Sequence, residues 1–139
     1  TVIWAAGVRA SALNRKLGVE LDRQGRVIVS RGLFLPQHPN VFVIGDQAFA
    51  VSREGKAYPG LAPVAMQQGR FLAKQIAADL YDQPRREFDY VDKGQMATIG
   101  RRSAVVEVGR LHFGGLIAWY AWLLVHVYFL IGFRNRFFV

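Results

Sequence analysis

The chain has 139 residues, enough for one modest domain or part of a larger protein. It has no cysteine and three scattered histidines, which excludes disulfide and thiolate chemistry and leaves no metal site to expect. The net charge is +8, and hydrophobic residues make up 52% of the chain with a mean hydropathy of +0.14. A basic balance of this kind points to nucleic acid, an anionic membrane or an anionic ligand. Here the arginines flank an apolar tail rather than line a polar face, so a membrane is expected and nucleic acid is not.

Thr1-Val2-Ile3-Trp4 reads as a buried strand running into a small-residue turn at Ala5-Ala6-Gly7, where backbone can approach a ligand. Opening inside a strand, with no initiator methionine or signal peptide, suggests a piece of a longer protein. Ser11 to Leu17 is expected to form a short helix with Ser11 as its N-cap and Gly18 as its stop. Val19-Glu20-Leu21 and Arg26-Val27-Ile28-Val29 alternate as strands around a turn at Asp22-Arg23-Gln24-Gly25. Pro36 and Pro39 break the chain before the run Val41-Phe42-Val43-Ile44.

That run has no polar side, which is the pattern of a strand buried on both faces of an α/β sheet. It ends in Gly45-Asp46. Glycine there admits a ligand to the backbone, and aspartate places a carboxylate at the strand's carboxyl end, where open α/β sheets bind nucleotides. Phe49 to Tyr58 reads as a polar loop. Pro63 to about Tyr81 is predicted as a helix, with Val64, Phe71, Leu72, Ile76 and Leu80 near one face and Pro84 ending it. The polar linker Gln83-Pro84-Arg85-Arg86-Glu87 sets an expected boundary between residues 1–84 and 85–139. Beyond it, Phe88 to Val91, Met96 to Arg101 and Ala104 to Val108 read as short strands.

From Leu111 to Phe133 there is no Asp, Glu, Lys or Arg. As a helix, residues 114–133 would span roughly 30 Å, one hydrocarbon core. Arg101, Arg102 and Arg110 precede the run, and Arg134 and Arg136 follow it. Basic residues on both flanks, where a spanning helix is biased to one side, favour a helix lying in the interface with Gly115, Trp119, Trp122, His126 and Phe129 on its protein-facing side and Leu116, Leu123 and Leu130 toward lipid.

Several residues can carry chemistry. Asp46 can accept hydrogen bonds from sugar or ribityl hydroxyls. The helix beginning at Ala62-Pro63-Val64-Ala65 offers unpaired N–H groups and a dipole that favours negative charge, which a reduced flavin develops. Gln67 can offer its amide to a carbonyl in the same site. Lys93 can stabilise developing negative charge or supply a proton. His126 is expected to be a packed, hydrogen-bonded residue. No Gly-x-Gly pair occurs, so a pyrophosphate loop is not part of this sequence.

Taken together, these residues resemble the C-terminal part of a type II NADH:quinone oxidoreductase. Thr1 to Val8 is similar to the strand and turn that return the chain to the FAD domain. Val41 to Asp46 resembles the second flavin motif, whose aspartate binds the ribityl chain. Ala62-Pro63-Val64-Ala65-Met66-Gln67 resembles the quinone-site motif, departing from it at Pro63, where glutamine is frequent. Asp92-Lys93-Gly94-Gln95-Met96-Ala97 resembles the segment whose lysine lies near flavin and quinone, and the apolar tail resembles the membrane anchor.

The resemblance implies an α/β fold: the C-terminal half of an FAD-binding, two-dinucleotide-binding-domain Rossmann-like domain, then a small β segment and a membrane-anchoring helix. It implies FAD as cofactor, held by Gly7, Gly45, Asp46, Val64 and Ala65. It implies a quinone site at Ala65, Gln67, Lys93 and Met96, with Gln67 and Lys93 as the catalytic pair. NADH would bind mostly upstream. The protein would sit on the cytoplasmic face of a bacterial inner membrane, against the lipid bilayer, with a homodimer left open. Flavin retention by this piece alone is expected to be weak. Two alternatives stand beside this one: another flavin-dependent pyridine nucleotide oxidoreductase, and a non-enzymatic membrane-anchored binding module. Sulfide:quinone reductases depend on cysteines that this chain lacks, and the C-terminal His-Glu pair of disulfide reductases is not found. A soluble ferredoxin reductase would have no use for the apolar tail.

Overall fold

Ser11 caps a short 3-10 helix, Ala12–Leu17, its hydroxyl accepting the Leu13 N–H at 3.3 Å, and Gly18 ends it in the left-handed conformation at φ 65°. This is the helix expected there, wound one step tighter. The computed structural model describes residues 1–3, 7 and 9–130. By its contacts the chain divides into two units, Thr1–Tyr90 and Val91–Val139. Phe88 is buried in the core of the first unit, so the linker at Gln83 to Glu87 lies within that unit.

In the first unit the turn at Asp22 to Gly25 forms as its sequence dictates. The Asp22 carboxylate accepts the Gln24 and Arg26 backbone N–H groups at 2.9 and 2.8 Å and the Arg26 Nε at 2.8 Å. Gly25, at φ 78°, closes the turn with its N–H on the Asp22 carbonyl. Beyond it, β1 (Val27–Ile28) pairs in parallel with β4 (Ala48–Phe49), while β2 (Phe34–Leu35) pairs antiparallel with β3 (His38–Phe42).

The strand at Val41 to Ile44 therefore differs from expectation. It is not buried on both faces: Val41 is 41% exposed and the hydrogen-bonded strand ends at Phe42. Val43 continues it by one bond to the Leu33 carbonyl at 3.0 Å. Among the described residues no strand pairs with Thr1 to Ile3, and Val2 and Ile3 are exposed, so the buried strand predicted there does not form over those three residues. An unpaired extended segment leaves its backbone groups to water. Trp4, Ala5 and Ala6, the rest of that prediction, lie outside the described residues. The loop Phe49 to Tyr58 is a small hairpin, closed by Ser52 N–H on Lys56 O at 2.8 Å and a bridge between Val51 and Ala57.

The long helix α1 spans Ala62–Leu80. Its buried face is not the all-apolar one predicted. Val64, Gln68 and Gln75 are buried, whereas Ile76 is 46% and Leu80 is 77% exposed. Each buried glutamine spends its Oε1 on a backbone N–H of another segment: Gln68 on Gly45 at 2.7 Å and Gln75 on Arg86 at 2.9 Å. The helix ends with Asp82 at φ 51° and the Gln83 N–H on the Ala78 carbonyl. The core beneath is Val27, Val29, Leu33, Leu35, Ala48, Ala50 and Phe88. Arg85 then staples the chain after α1 to the β2–β3 hairpin. Its guanidinium binds Asp79 through Nε and Nη2 at 2.9 and 2.7 Å, donates to the Pro39 carbonyl, and sits over the Phe34 and Phe42 rings.

The second unit holds β5 (Gln95–Gly100), β6 (Ser103–Val108) and β7 (Leu111–Gly114) in antiparallel order, then α2 (Gly115–Phe129). Phe88 to Val91, predicted as a strand, is irregular, because Phe88 is spent on the first core. Leu111 to Gly114, the start of the charge-free run and not assigned as a strand, pairs with β6, Val106 opposite Phe113, so only Gly114 of the helix expected over residues 114–133 is taken into the sheet. That leaves α2 with 15 residues, about 22 Å at 1.5 Å each. Leu130 is extended, so the helix stops there. Among the described residues no helix is long and apolar enough to cross a membrane, so the membrane-anchoring helix expected over residues 114–133 is not found at that length. Residues 131–139, including Arg134 and Arg136, lie outside the description. Trp119 and Trp122 pack on Ala104, Val106 and Ala118, as their shared helical face predicts. His126 donates from Nδ1 to the Trp122 carbonyl at 2.9 Å, and its ring lies 4.0 Å from that of Trp122.

The Asp22 turn gives a pH prediction. Burial pushes its carboxyl up, but the Arg26 and Gln24 bonds outweigh this and hold it below the usual carboxylate value. A depressed folded-state value stabilises above the ordinary carboxylate range and is lost as pH falls through the folded value. Asp22→Asn is expected to destabilise by about 1–2 kcal/mol at neutral pH. The gap between wild type and variant in urea midpoint should narrow as pH is lowered below the ordinary carboxylate range.

Candidate functional site

The Gly45–Asp46 turn is built by two side chains that hold it from below. Gly45, at φ 66°, opens a 3-10 turn over Gly45–Gln47 and gives its N–H to Gln68 of α1. Asn14 is 3% exposed, and its Nδ2 donates to the Gly25 and Gln47 carbonyls at 2.8 and 3.2 Å. The first short helix, the Asp22 turn and the Gly-Asp turn are thereby tied to one amide. Neither Asn14 nor Gln68 was singled out from the sequence. Gln68 carries a signal in retrospect: it is a polar residue on the stripe running from Val64 to Phe71. Asn14 carries none.

Above these ties lies a cavity of about 300 Å3. Gly45, Asp46, Leu61, Val64 and Ala65 line it, so four of the predicted cofactor residues are brought together. Asp46 presents its carboxylate on the exposed side of the turn. Small residues keep the walls close: a Cβ added at Gly45 would lie 3.5 Å from the Ala65 Cβ, and one at Gly60 would lie 3.7 Å from Asp46 Oδ1. Gly7, the fifth, is exposed at φ 86° and does not line the cavity.

The helix end offers fewer donors than expected. Pro63 has no N–H. The Val64 and Ala65 N–H groups turn back on the Leu61 carbonyl at 3.0 and 3.2 Å. Ala62 retains the one first-turn N–H without a partner among the described residues, and the helix dipole remains. Tyr58 also lines the cavity. Its ring packs edge-on against Phe88 and Tyr90, and its hydroxyl donates to Asp89 at 2.9 Å. Burial, then the Asp89 bond, push the Tyr58 hydroxyl above its usual value.

Gln67 does not join this cavity. One residue along a helix is a rotation of about 100°, and that step carries Gln67 to a second cavity of about 770 Å3, shared with Arg70, Phe71, Lys74 and Asp89. The expectation that Gln67 points to the Asp46 side is therefore corrected. Gln68, its neighbour, faces that side instead.

Lys93 and Met96 belong to the second unit. Lys93 is exposed at the tip of a tight turn whose Asp92 Oδ1 accepts the Gly94 N–H at 2.9 Å. Gly94, at φ 98°, is pressed against β6: an added Cβ would collide with the Glu107 carbonyl and lie 2.9 Å from Val108 Cα. Lys93 is thus followed by a glycine that leaves no space for a side chain. Met96 is half-buried against Ala104, Val106 and Ala118, where it serves packing.

Removing the Gln68 side chain leaves the part-buried Gly45 N–H without its acceptor. Gln68→Leu is expected to lower stability by about 1–3 kcal/mol in urea denaturation, and Gln67→Leu by less. Gly94→Ala should lower it by about 2 kcal/mol or more, from the left-handed backbone and the collision together.

A family model described as pyridine nucleotide-disulphide oxidoreductase matches residues 1–69. Among curated relatives, the type II NADH:quinone oxidoreductase NdhA of Mycobacterium tuberculosis is 46% identical over 143 residues, covering 96% of this chain and 29% of its own length. The Ndh protein of the same organism, with the same description, is 45% identical over 141 residues, covering 96% and 29%. A type II NADH:quinone oxidoreductase of Staphylococcus saprophyticus is 39% identical over 106 residues, covering 76% and 26%. The chain therefore spans less than a third of the length of these relatives.

Proposed function

This chain belongs to the type II NADH:quinone oxidoreductase family, and we propose that it forms the C-terminal part of an enzyme that carries electrons from NADH through FAD to a membrane quinone without pumping protons. Family membership implies a flavin; that the flavin is FAD is part of the proposal. When bound, it would accept two electrons from NADH and release them to the quinone.

The observation that carries this reading is the cavity between the Gly45–Asp46 turn and the amino end of α1. Its residues fit the middle of a flavin nucleotide. Asp46 accepts hydrogen bonds from the ribityl hydroxyls. Ala65 and Gly45 leave room for a flat ring edge, and the Ala62 N–H and helix dipole favour negative charge there. Gln68, by fixing Gly45, positions Asp46. The phosphate-binding glycines would lie upstream, which agrees with a chain that spans less than a third of its relatives.

Gln67, on the second cavity, is assigned to the quinone, its amide donating to a quinone carbonyl. Arg70 and Lys74 stand beside it and favour the negative charge that builds on reduction. Lys93, on its exposed turn, is assigned to charge stabilisation or proton supply, and Met96 to apolar contact. These two assignments rest on the resemblance.

In the second unit, Ile117, Tyr120, Leu124 and Tyr128 form an outward stripe on α2, 54–75% exposed and free of charge. This supports a helix lying in the membrane interface, with Tyr120 and Tyr128 suited to the headgroup level. The location proposed is the cytoplasmic face of a bacterial inner membrane, and a homodimer is compatible with it.

Two substitutions in the full-length enzyme test the reading. Asp46→Ala should weaken FAD retention by about tenfold to a hundredfold, measured by equilibrium release of the yellow chromophore. Gln67→Ala should lower quinone turnover by about tenfold while NADH oxidation with a water-soluble artificial acceptor is unchanged. Equal loss with both acceptors would remove Gln67 from the quinone side.

A further inference from the structure

The cavity beneath Asp46 has a second charged wall. Arg26 lines it, together with Ala10 and Gln24. Its guanidinium is fixed before any ligand arrives. Nε and Nη2 bind Asp22 Oδ2 at 2.8 and 2.7 Å, and the guanidinium carbon lies 4.8 Å from the centre of the Phe49 ring. Its own backbone N–H is tied to Asp22 Oδ1 at 2.8 Å. The side chain is only 18% exposed. Among the described residues the remaining nitrogen, Nη1, has no partner.

An arginine that merely braced a turn would need the Asp22 bonds and nothing more. This one also forms part of a cavity wall whose other charged residue is Asp46. A carboxylate and a guanidinium in one cavity suit a ligand that carries hydroxyls at one place and an anionic group at another. Guanidinium nitrogens bind phosphoryl oxygens strongly and with direction, and a side chain already immobilised loses little freedom in doing so.

We propose that Arg26 selects the phosphorylated form of the flavin, its Nη1 donating to a phosphoryl oxygen while Asp46 holds the hydroxyls. The proposal rests on the reading that this cavity receives the flavin. It assigns to the Asp22 turn a role outside stability: the turn aims the arginine.

The test is a comparison of ligands on the full-length enzyme stripped of its flavin. Affinities for FAD, FMN and riboflavin are measured by quenching of flavin fluorescence, in wild type, Arg26→Gln and Arg26→Lys. Arg26→Gln should weaken FAD and FMN by about tenfold and leave riboflavin unchanged. Arg26→Lys, which keeps charge but loses the rigid fork, should fall between. An equal loss for riboflavin would reduce Arg26 to a structural brace, and no loss for any ligand would remove it from the site. If Arg26→Gln does not fold, the ratio of FAD to riboflavin affinity in Arg26→Lys decides the matter in the same way. A wild-type enzyme that binds none of the three would overturn the reading of the cavity itself. Wild-type binding with an unaltered ratio in the variants overturns only the assignment of Arg26.

Discussion

A backbone N–H turned away from water needs an acceptor, and in the first unit two part-buried ones find theirs on the same helix. Gln68 takes the N–H of Gly45 and Gln75 that of Arg86. The two glutamines are seven residues apart, two turns, so they project from one face. Replacing either by an apolar residue of similar size would improve the transfer of the side chain and strand the amide it serves. The helix is thus held by polar contacts to loops where a purely hydrophobic stripe would have left those loops unattached. The Asp46 site inherits its geometry from the first of these contacts.

The neighbouring pair Gln67 and Gln68 divides the labour of the helix. One faces the turn that positions Asp46, and the other opens onto a separate, larger cavity lined by Arg70 and Lys74. Under the proposed function the two cavities would serve unlike partners, and a helix supplies two directions within a single residue step. Proline at position 63 removes one hydrogen-bond donor from the amino end. The dipole and the Ala62 N–H are what that end still offers to negative charge.

Local signals were legible in the sequence wherever one residue decides a conformation. Ser11 and Gly18 bounded a helix that forms between them, and Asp22 and Gly25 marked a turn that forms there. Proline near the start of α1 marked its amino end. Of the five residues that the resemblance grouped around a cofactor, Gly45, Asp46, Val64 and Ala65 line one cavity and Gly7 does not. What was not legible depends on partners distant in the chain. An apolar run such as Val41 to Ile44 reads alike whether its neighbour is parallel or antiparallel. The strand at Leu111 to Gly114 was not read from the apolar run because periodicity cannot see that β6 is waiting for a third strand. Gln68 and Asn14 were passed over because a buried amide is identified by its acceptors and donors, and these lie 23 and up to 33 residues away.

The excursion between Phe49 and Tyr58 folds on itself, Ser52 bonded to Lys56 across a four-residue turn and Val51 bridged to Ala57. Its ends, Ala50 and Tyr58, line the cavity, but its tip from Val51 to Ala57 does not. Lengthening or trimming that excursion would leave the spacing of α1 against the Gly-Asp turn untouched. A single residue inserted within α1 between Val64 and Gln75 would instead rotate everything after it by about 100°. The tolerance of this segment to insertion should therefore change abruptly from one side of Leu61 to the other.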